Sequence, residues 1–299
     1  MDLQVSIVIP TYNRRAMVCE AIDSVLAQSF RAFELIVIDD GSTDGTDEEL
    51  MRLGDAIRLE RIEHRGPAGA RNRGVEMARA PMIAFLDSDD LWAPAKLERQ
   101  LAFMRDNPEC AISQTNEIWI RNGRRVNPGL RHRKRAGDIF ADSLRTCLIS
   151  MSATMMRTEL FRSLGGFDES MDAAEDYDLW LRILIDHEAG LLDEPLVTRR
   201  GGHSDQTSAT TPAIDRFRIL ALMKLLTDAR LSSTRRNAVV EVLAEKCRIY
   251  AGGLARRGRI DQARFYERVA EHAQTWRAAD INCAIQSMRT MLHEVPHGS

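Results

Sequence analysis

The residues Met82 to Leu86 are apolar throughout and run directly into Asp87, Ser88, Asp89 and Asp90. A short unbroken apolar run reads as a β-strand buried on both faces, the condition of a strand inside a parallel sheet covered by helices. Such a strand has no ordinary reason to end in three carboxylates. In an open parallel sheet the ligand crevice lies beyond the carboxyl ends of the strands, so this stretch delivers Asp87, Asp89 and Asp90 to the place where a ligand binds. Turn and helix-capping duty is the alternative for any Asp-rich loop. Hard oxygen ligands at a buried strand end suit Mg2+ or Mn2+, which bridge one or two carboxylates to substrate phosphates.

The rest of the chain repeats the pattern. Val5 to Ile9 is an apolar run stopped by Pro10, and Phe33 to Ile38 is a second run that also ends in carboxylates, Asp39 and Asp40. Each is followed by a loop and an amphipathic segment, so the expected class is α/β, a mostly parallel sheet with flanking helices. Two helix starts carry the capping-box spacing, Thr46 with Glu49 and Asp172 with Glu175. That spacing accounts for Glu175 by structural duty better than for its neighbour Asp176. Asn122-Gly123 predicts a hairpin turn. Between Arg121 and Arg135 stand seven Arg or Lys residues and no acid, a pattern that fits a solvated loop or a surface for an anionic acceptor or a membrane. From Pro212 onward the pattern is continuously helical, expected to pack on the preceding domain or on a second copy as a homodimer.

Composition excludes more than it assigns. With 44% hydrophobic and 28% charged residues and a net charge of −3, the 299-residue chain has the make-up of a globular protein without an overall preference for polyanions such as nucleic acid. The five cysteines, Cys19, Cys110, Cys147, Cys247 and Cys283, form no Cys-x-x-Cys, so neither a disulfide framework nor a zinc site is indicated. Met1 leads within a few residues into the first apolar run, and no apolar run has the length of a membrane span. The expectation is a cytoplasmic protein that touches the inner face of a membrane, if at all, through the basic run.

Several stretches together carry a resemblance: Val5 to Arg14, Val37-Ile38-Asp39-Asp40-Gly41-Ser42-Thr43-Asp44, Gly69-Ala70-Arg71-Asn72, Phe85 to Trp92, Gly165-Gly166-Phe167-Asp168-Glu169, and Glu175-Asp176-Tyr177-Asp178-Leu179-Trp180. In this order they are similar to glycosyltransferase family 2. The resemblance implies the fold called GT-A over residues 1–208, with a donor-binding half about 1–107, an acceptor-binding half about 108–208, and a helical region 212–299. It also implies an inverting, metal-dependent transfer from a nucleotide-sugar, a UDP-sugar before others, to a glycan, lipid-linked saccharide or protein acceptor in glycan or glycoconjugate assembly. Residue by residue, Pro10, Thr11, Tyr12, Asn13, Arg14, Asp39 and Asp40 would hold base and ribose, and Arg71 the base or diphosphate. Asp87 and Ser88 would lie near the donor, Asp89 would bind Mn2+ or Mg2+ directly, and Asp176 would be the catalytic base. His203, by itself an ordinary loop histidine, would contact metal or diphosphate.

The sequence departs from one branch of that family, because no Gln-x-x-Arg-Trp follows residue 176. Processive synthesis of a membrane-extruded polymer is therefore not expected. A non-catalytic nucleotide-sugar-binding subunit is the alternative, and a lost metal or base carboxylate would mark it, but Asp89 and Asp176 are both present. A dinucleotide oxidoreductase is disfavoured, since no Gly-x-Gly-x-x-Gly follows the first strand.

Overall fold

Alternate residues of the first strand face different cores, as the period of two requires of a strand buried on both faces. In β1 (Val5–Thr11), Val5, Ile7 and Ile9 join one apolar cluster with Val37, Ala84 and Leu86. Val8 faces the other, with Ile36, Ile38, Ile83 and Phe85. A computed structural model describes residues 2–202 and 214–293 of the chain. After β1 come α1 (Arg15–Leu26), β2 (Phe33–Asp39), α2 (Thr46–Met51), β3 (Arg58–Arg61), α3 (Gly66–Met77), β4 (Met82–Phe85), β5 (Leu91–Trp92) and α4 (Lys96–Asp106). The chain continues through β6 (Ile112–Arg121), β7 (Arg124–Val126), α5 (Phe140–Arg145), β8 (Thr154–Arg157), α6 (Thr158–Ser163), α7 (Glu175–Leu184) and β9 (Ala189–Gly201).

The strands form one sheet in the order β3-β2-β1-β4-β8-β6-β9-β5, with β7 paired to β6. The parallel pairing expected from the sequence holds across β3, β2, β1 and β4. Beyond β4 the sheet is mixed. β8 runs antiparallel to both β4 and β6, because the chain enters it from the crevice side through Ser152 without first returning to the opposite edge. The parallel half is tightly covered: a Cβ added to Gly74 of α3 would lie 2.4 Å from Val8 Cγ1, so only glycine lets this helix approach β1. Asn122 and Gly123, both at positive φ, make the predicted hairpin between β6 and β7.

Two local expectations are corrected. The helix cap at residue 46 is not a capping box: Gly45 at φ 81° precedes the helix, and Asp44 Oδ1 accepts from Thr46 N at 3.1 Å. Left-handed Gly45 lets the chain turn so sharply that Asp44, two residues earlier, reaches the helix end first. The sequence from Leu148 to Met156 reads as one mixed strand, but the strand is confined to β8, since Met151–Ala153 form a 3-10 turn that carries Ser152 into the crevice.

Among the described residues four further helices follow, α8 (Asp215–Leu225), α9 (Ser233–Arg256), α10 (Ile260–His272) and α11 (Ala278–His293). The cluster holding Phe85 and Trp180 continues without a break into Leu220, Leu243, Val269 and Met288 of these helices. Ser232 caps α9, its hydroxyl accepting from Arg235 N. Among the described residues no helix is long and apolar enough to cross a membrane.

Candidate active site

The loop after β4 places Asp87, Asp89 and Asp90 together, with one carboxylate oxygen of each within 4.8 Å of the others. Their surroundings separate their roles. Asp90 is buried and fully engaged: Oδ2 accepts from Ser152 Oγ at 2.6 Å and Oδ1 from Arg200 N at 2.9 Å. Burial, and then the charges of Asp89 and Asp87, push its carboxyl well above the usual range. Asp90 thus ties the β4 loop to the end of β9, while Asp87 N donates to the same Ser152 Oγ at 3.1 Å. Asp89 pairs with Arg14 Nη1 at 3.1 Å, and Asp87 with Arg71 Nη2 at 2.7 Å. An all-oxygen set at this spacing fits a hard divalent cation.

Arg71 is enclosed. Its Nη1 donates to Glu175 Oε1 at 2.7 Å, so both arms of the guanidinium hold carboxylates. Burial opposes its charge, but Asp87 and Glu175 outweigh burial and keep it protonated. The expected capping role of Glu175 does not hold: α7 begins at Glu175 itself, preceded by Ala174 in the left-handed region at φ 60°, with no side-chain cap. The turn at Ala174 aims Glu175 inward at Arg71, because a buried guanidinium demands a counter-charge more strongly than a helix end demands a cap. Burial pushes the Glu175 carboxyl up, and Arg71 pulls it back.

Asp176, one residue further, is half-buried; its Oδ1 accepts from Tyr177 N at 2.6 Å and its Oδ2 lies 3.6 Å from Cys147 Sγ. Burial and the Asp176 charge hold the Cys147 thiol well above its ordinary pKa.

Loops after β1 and β2 form the far wall. Pro10 and Thr11 end β1 in buried positions, and Asn13, at φ 51°, accepts from Thr43 N at 2.8 Å and donates its own N–H to Ser42 Oγ at 2.9 Å. Tyr12 is 42% exposed, with its ring stacked on His64 at 4.1 Å. Asp39 Oδ1 accepts from Ser42 N at 3.0 Å. Asp40 accepts from Arg65 N at 2.8 Å and Gly66 N at 2.9 Å, and so caps α3. Burial raises the Asp40 carboxyl, against those two bonds and His64. Ser88 is buried within the β4 loop. His203 lies outside the described residues.

Three partners were not legible in the sequence. Glu175 as counter-charge to Arg71 was masked by its capping-box spacing, and Ser152 carries no motif. Arg199 on β9 stacks 4.9 Å above Trp119, and the nearby acids Glu117, Asp90, Asp87 and Asp176 strengthen its charge against burial. The basic run also needs correction at Lys134, which is buried, 3.1 Å from Glu117 Oε1. A lysine flanked by arginines gives no sequence sign that it points inward. Its neighbours Arg131, Arg133 and Arg135 are exposed.

Residues 6–165 match the family model described as glycosyl transferase family 2. An uncharacterized glycosyltransferase of Rickettsia felis is 37% identical over 65% of this chain, which spans 32% of that relative's length. A UDP-Glc:alpha-D-GlcNAc-diphosphoundecaprenol beta-1,3-glucosyltransferase of Escherichia coli, WfgD, is 34% identical over 64% of this chain and 74% of its own. Among solved structures, S. aureus TarS in complex with UDP-GlcNAc superposes with a TM-score of 0.64 at 19% identity, covering 92% of this chain and 93% of its own. The mannosyltransferase PcManGT of Pyrobaculum calidifontis, in complex with GDP-Man and Mn2+, gives a TM-score of 0.59 at 18% identity over 98% of this chain and 85% of its own. The α/β sheet with carboxylates at its strand ends has the GT-A fold of these structures. The chain belongs to glycosyltransferase family 2.

Proposed function

We propose that this glycosyltransferase moves a sugar from a UDP-sugar to an acceptor hydroxyl in glycan or glycoconjugate assembly, with inversion and with Mn2+ or Mg2+ as cofactor. The observation that carries the reading is the convergence of Asp87, Asp89 and Asp90 within 4.8 Å at the end of β4. Asp89, with Asp87 beside it and His203 as a further ligand, would hold the ion, whose chemistry is to neutralise charge on the departing diphosphate. The uridine preference is supported by the donor in the name of WfgD and by the UDP-GlcNAc bound to TarS, and the metal by the Mn2+ bound to PcManGT.

The protein's own residues do the rest. The loops carrying Pro10 to Arg14 and Asp39 to Asp40 grip base and ribose, with the exposed Tyr12 face available for stacking. Asp176 takes the proton of the acceptor hydroxyl as that oxygen attacks the anomeric carbon from the side opposite the diphosphate. One displacement inverts the configuration. The half-buried position of Asp176 supports this role, because its carboxylate is reachable by an acceptor while Glu175 is committed to Arg71.

Thermal-shift screening of UDP-, GDP- and dTDP-sugars with Mn2+ tests the reading, since a matched donor raises the melting temperature according to its concentration over Kd. A shift with a UDP-sugar that disappears in chelator is expected. Stabilisation by GDP-sugars alone would overturn the uridine assignment, and a shift unaffected by chelator would overturn the metal.

A further inference from the structure

Arg71 joins two carboxylates that come from distant parts of the chain. Asp87 stands at the end of β4 in the proposed metal site, and Glu175 is the first residue of α7, directly before Asp176. Both are held at 2.7 Å by separate arms of one guanidinium. Arg71 and Glu175 are each 7% exposed, so water cannot replace either partner, and the guanidinium carbon lies 5.7 Å from the centroid of the Phe167 ring, which closes one side. A guanidinium is a rigid planar fork, so two carboxylates gripped by its ends keep a set separation and orientation. Ala174, in a left-handed conformation that a residue with a Cβ adopts only when its surroundings enforce it, brings Glu175 into that grip.

We infer that Glu175 is a positioning residue for the metal-assisted binding of the donor diphosphate, acting through Arg71 on Asp87. By taking one arm of Arg71, Glu175 stops the guanidinium from moving fully onto Asp87. Asp87 then keeps an oxygen turned toward Asp89 and negative charge to offer a cation. Without the Glu175 charge, Arg71 is drawn wholly to Asp87 and competes there with the divalent ion. The inference rests on the proposed metal site.

Titration calorimetry of UDP and of GDP, each with Mn2+ and with chelator, into the wild type, Glu175→Gln and Glu175→Asp tests it. In the wild type, Mn2+ tightens binding of the nucleotide that the protein accepts. In Glu175→Gln, which keeps the side-chain shape, that Mn2+-dependent gain falls about tenfold or more, the usual cost of losing a group that holds a metal ligand from behind. Affinity in chelator stays as in the wild type. Glu175→Asp keeps the buried charge but is one methylene too short to hold Arg71 at 2.7 Å without moving it, so it loses the gain as well and serves as the test if Glu175→Gln does not fold. A wild type with no Mn2+ effect overturns the metal reading together with this inference. A folded variant that retains the full gain overturns the inference alone. An equal loss in chelator also overturns it, because Glu175 would then be touching the nucleotide itself.

Discussion

Arg14 Nη1 lies 3.1 Å from Asp89 Oδ2, so a cation from the first loop already faces the carboxylate proposed as the principal metal ligand. A divalent ion must share or displace that contact, and a diphosphate is the partner that would draw Arg14 away. Asp89→Ala should therefore remove the Mn2+ dependence of donor binding and abolish transfer, and chelator should do the same to the wild type. Both are read by transfer assays and by donor titration with and without Mn2+. Full activity in excess chelator would return Asp89 to loop structure.

Asp176→Asn keeps the shape of the side chain but removes its basicity. Loss of kcat on the order of 10² to 10⁴, the usual range for a positioned general base, is expected, with donor Kd unchanged. Steady-state kinetics together with donor titration check it, and normal turnover would dismiss Asp176 as the base.

Asp168 fastens the helical region to the rest of the chain. Lys224 of α8 lies 2.7 Å from its Oδ2, and Arg289 of α11 lies 3.4 Å away. Burial alone would raise the Asp168 carboxyl, but Lys224 and the Ser170 hydrogen bonds outweigh it and hold the pKa at about 2, below the ordinary 3.8. A depressed carboxyl stabilises the fold above its unfolded pKa, and that stability is lost as pH falls from about 4 toward about 2. At neutral pH the shift corresponds to about 2 kcal/mol. Asp168→Asn should cost a similar amount at pH 7 in denaturant unfolding and close to nothing near pH 2.

The basic run divides by burial. Lys134→Ala leaves Glu117 without its buried partner and should destabilise the protein by about 3–5 kcal/mol, visible as a lower melting temperature. Arg131→Ser with Arg133→Ser should leave the melting temperature unchanged, because both side chains are exposed, and should raise the acceptor KM at low salt if the acceptor is anionic. A melting temperature that drops equally in both variants would refute this division.

The sheet's parallel half and the gathering of carboxylates at the end of β4 were legible in the residues alone. A continuous apolar run such as Met82 to Leu86 can be buried only on both faces, and the carboxylates that follow must then gather at one end of the sheet. Local spacing is also enough for the hairpin at Asn122-Gly123, where both residues take positive φ. It misled at Glu175, where the same spacing that writes a helix cap was overruled by the buried charge of Arg71, a residue 104 positions away. It was silent on Ser152, on Arg199 over Trp119 and on the inward turn of Lys134, because a hydrogen bond or ion pair between distant segments leaves no periodicity in either segment. Which of these charges are neutralised inside the protein and which remain open to a ligand was settled by packing, since desolvation depends on what the fold places around a group and not on its neighbours in the chain.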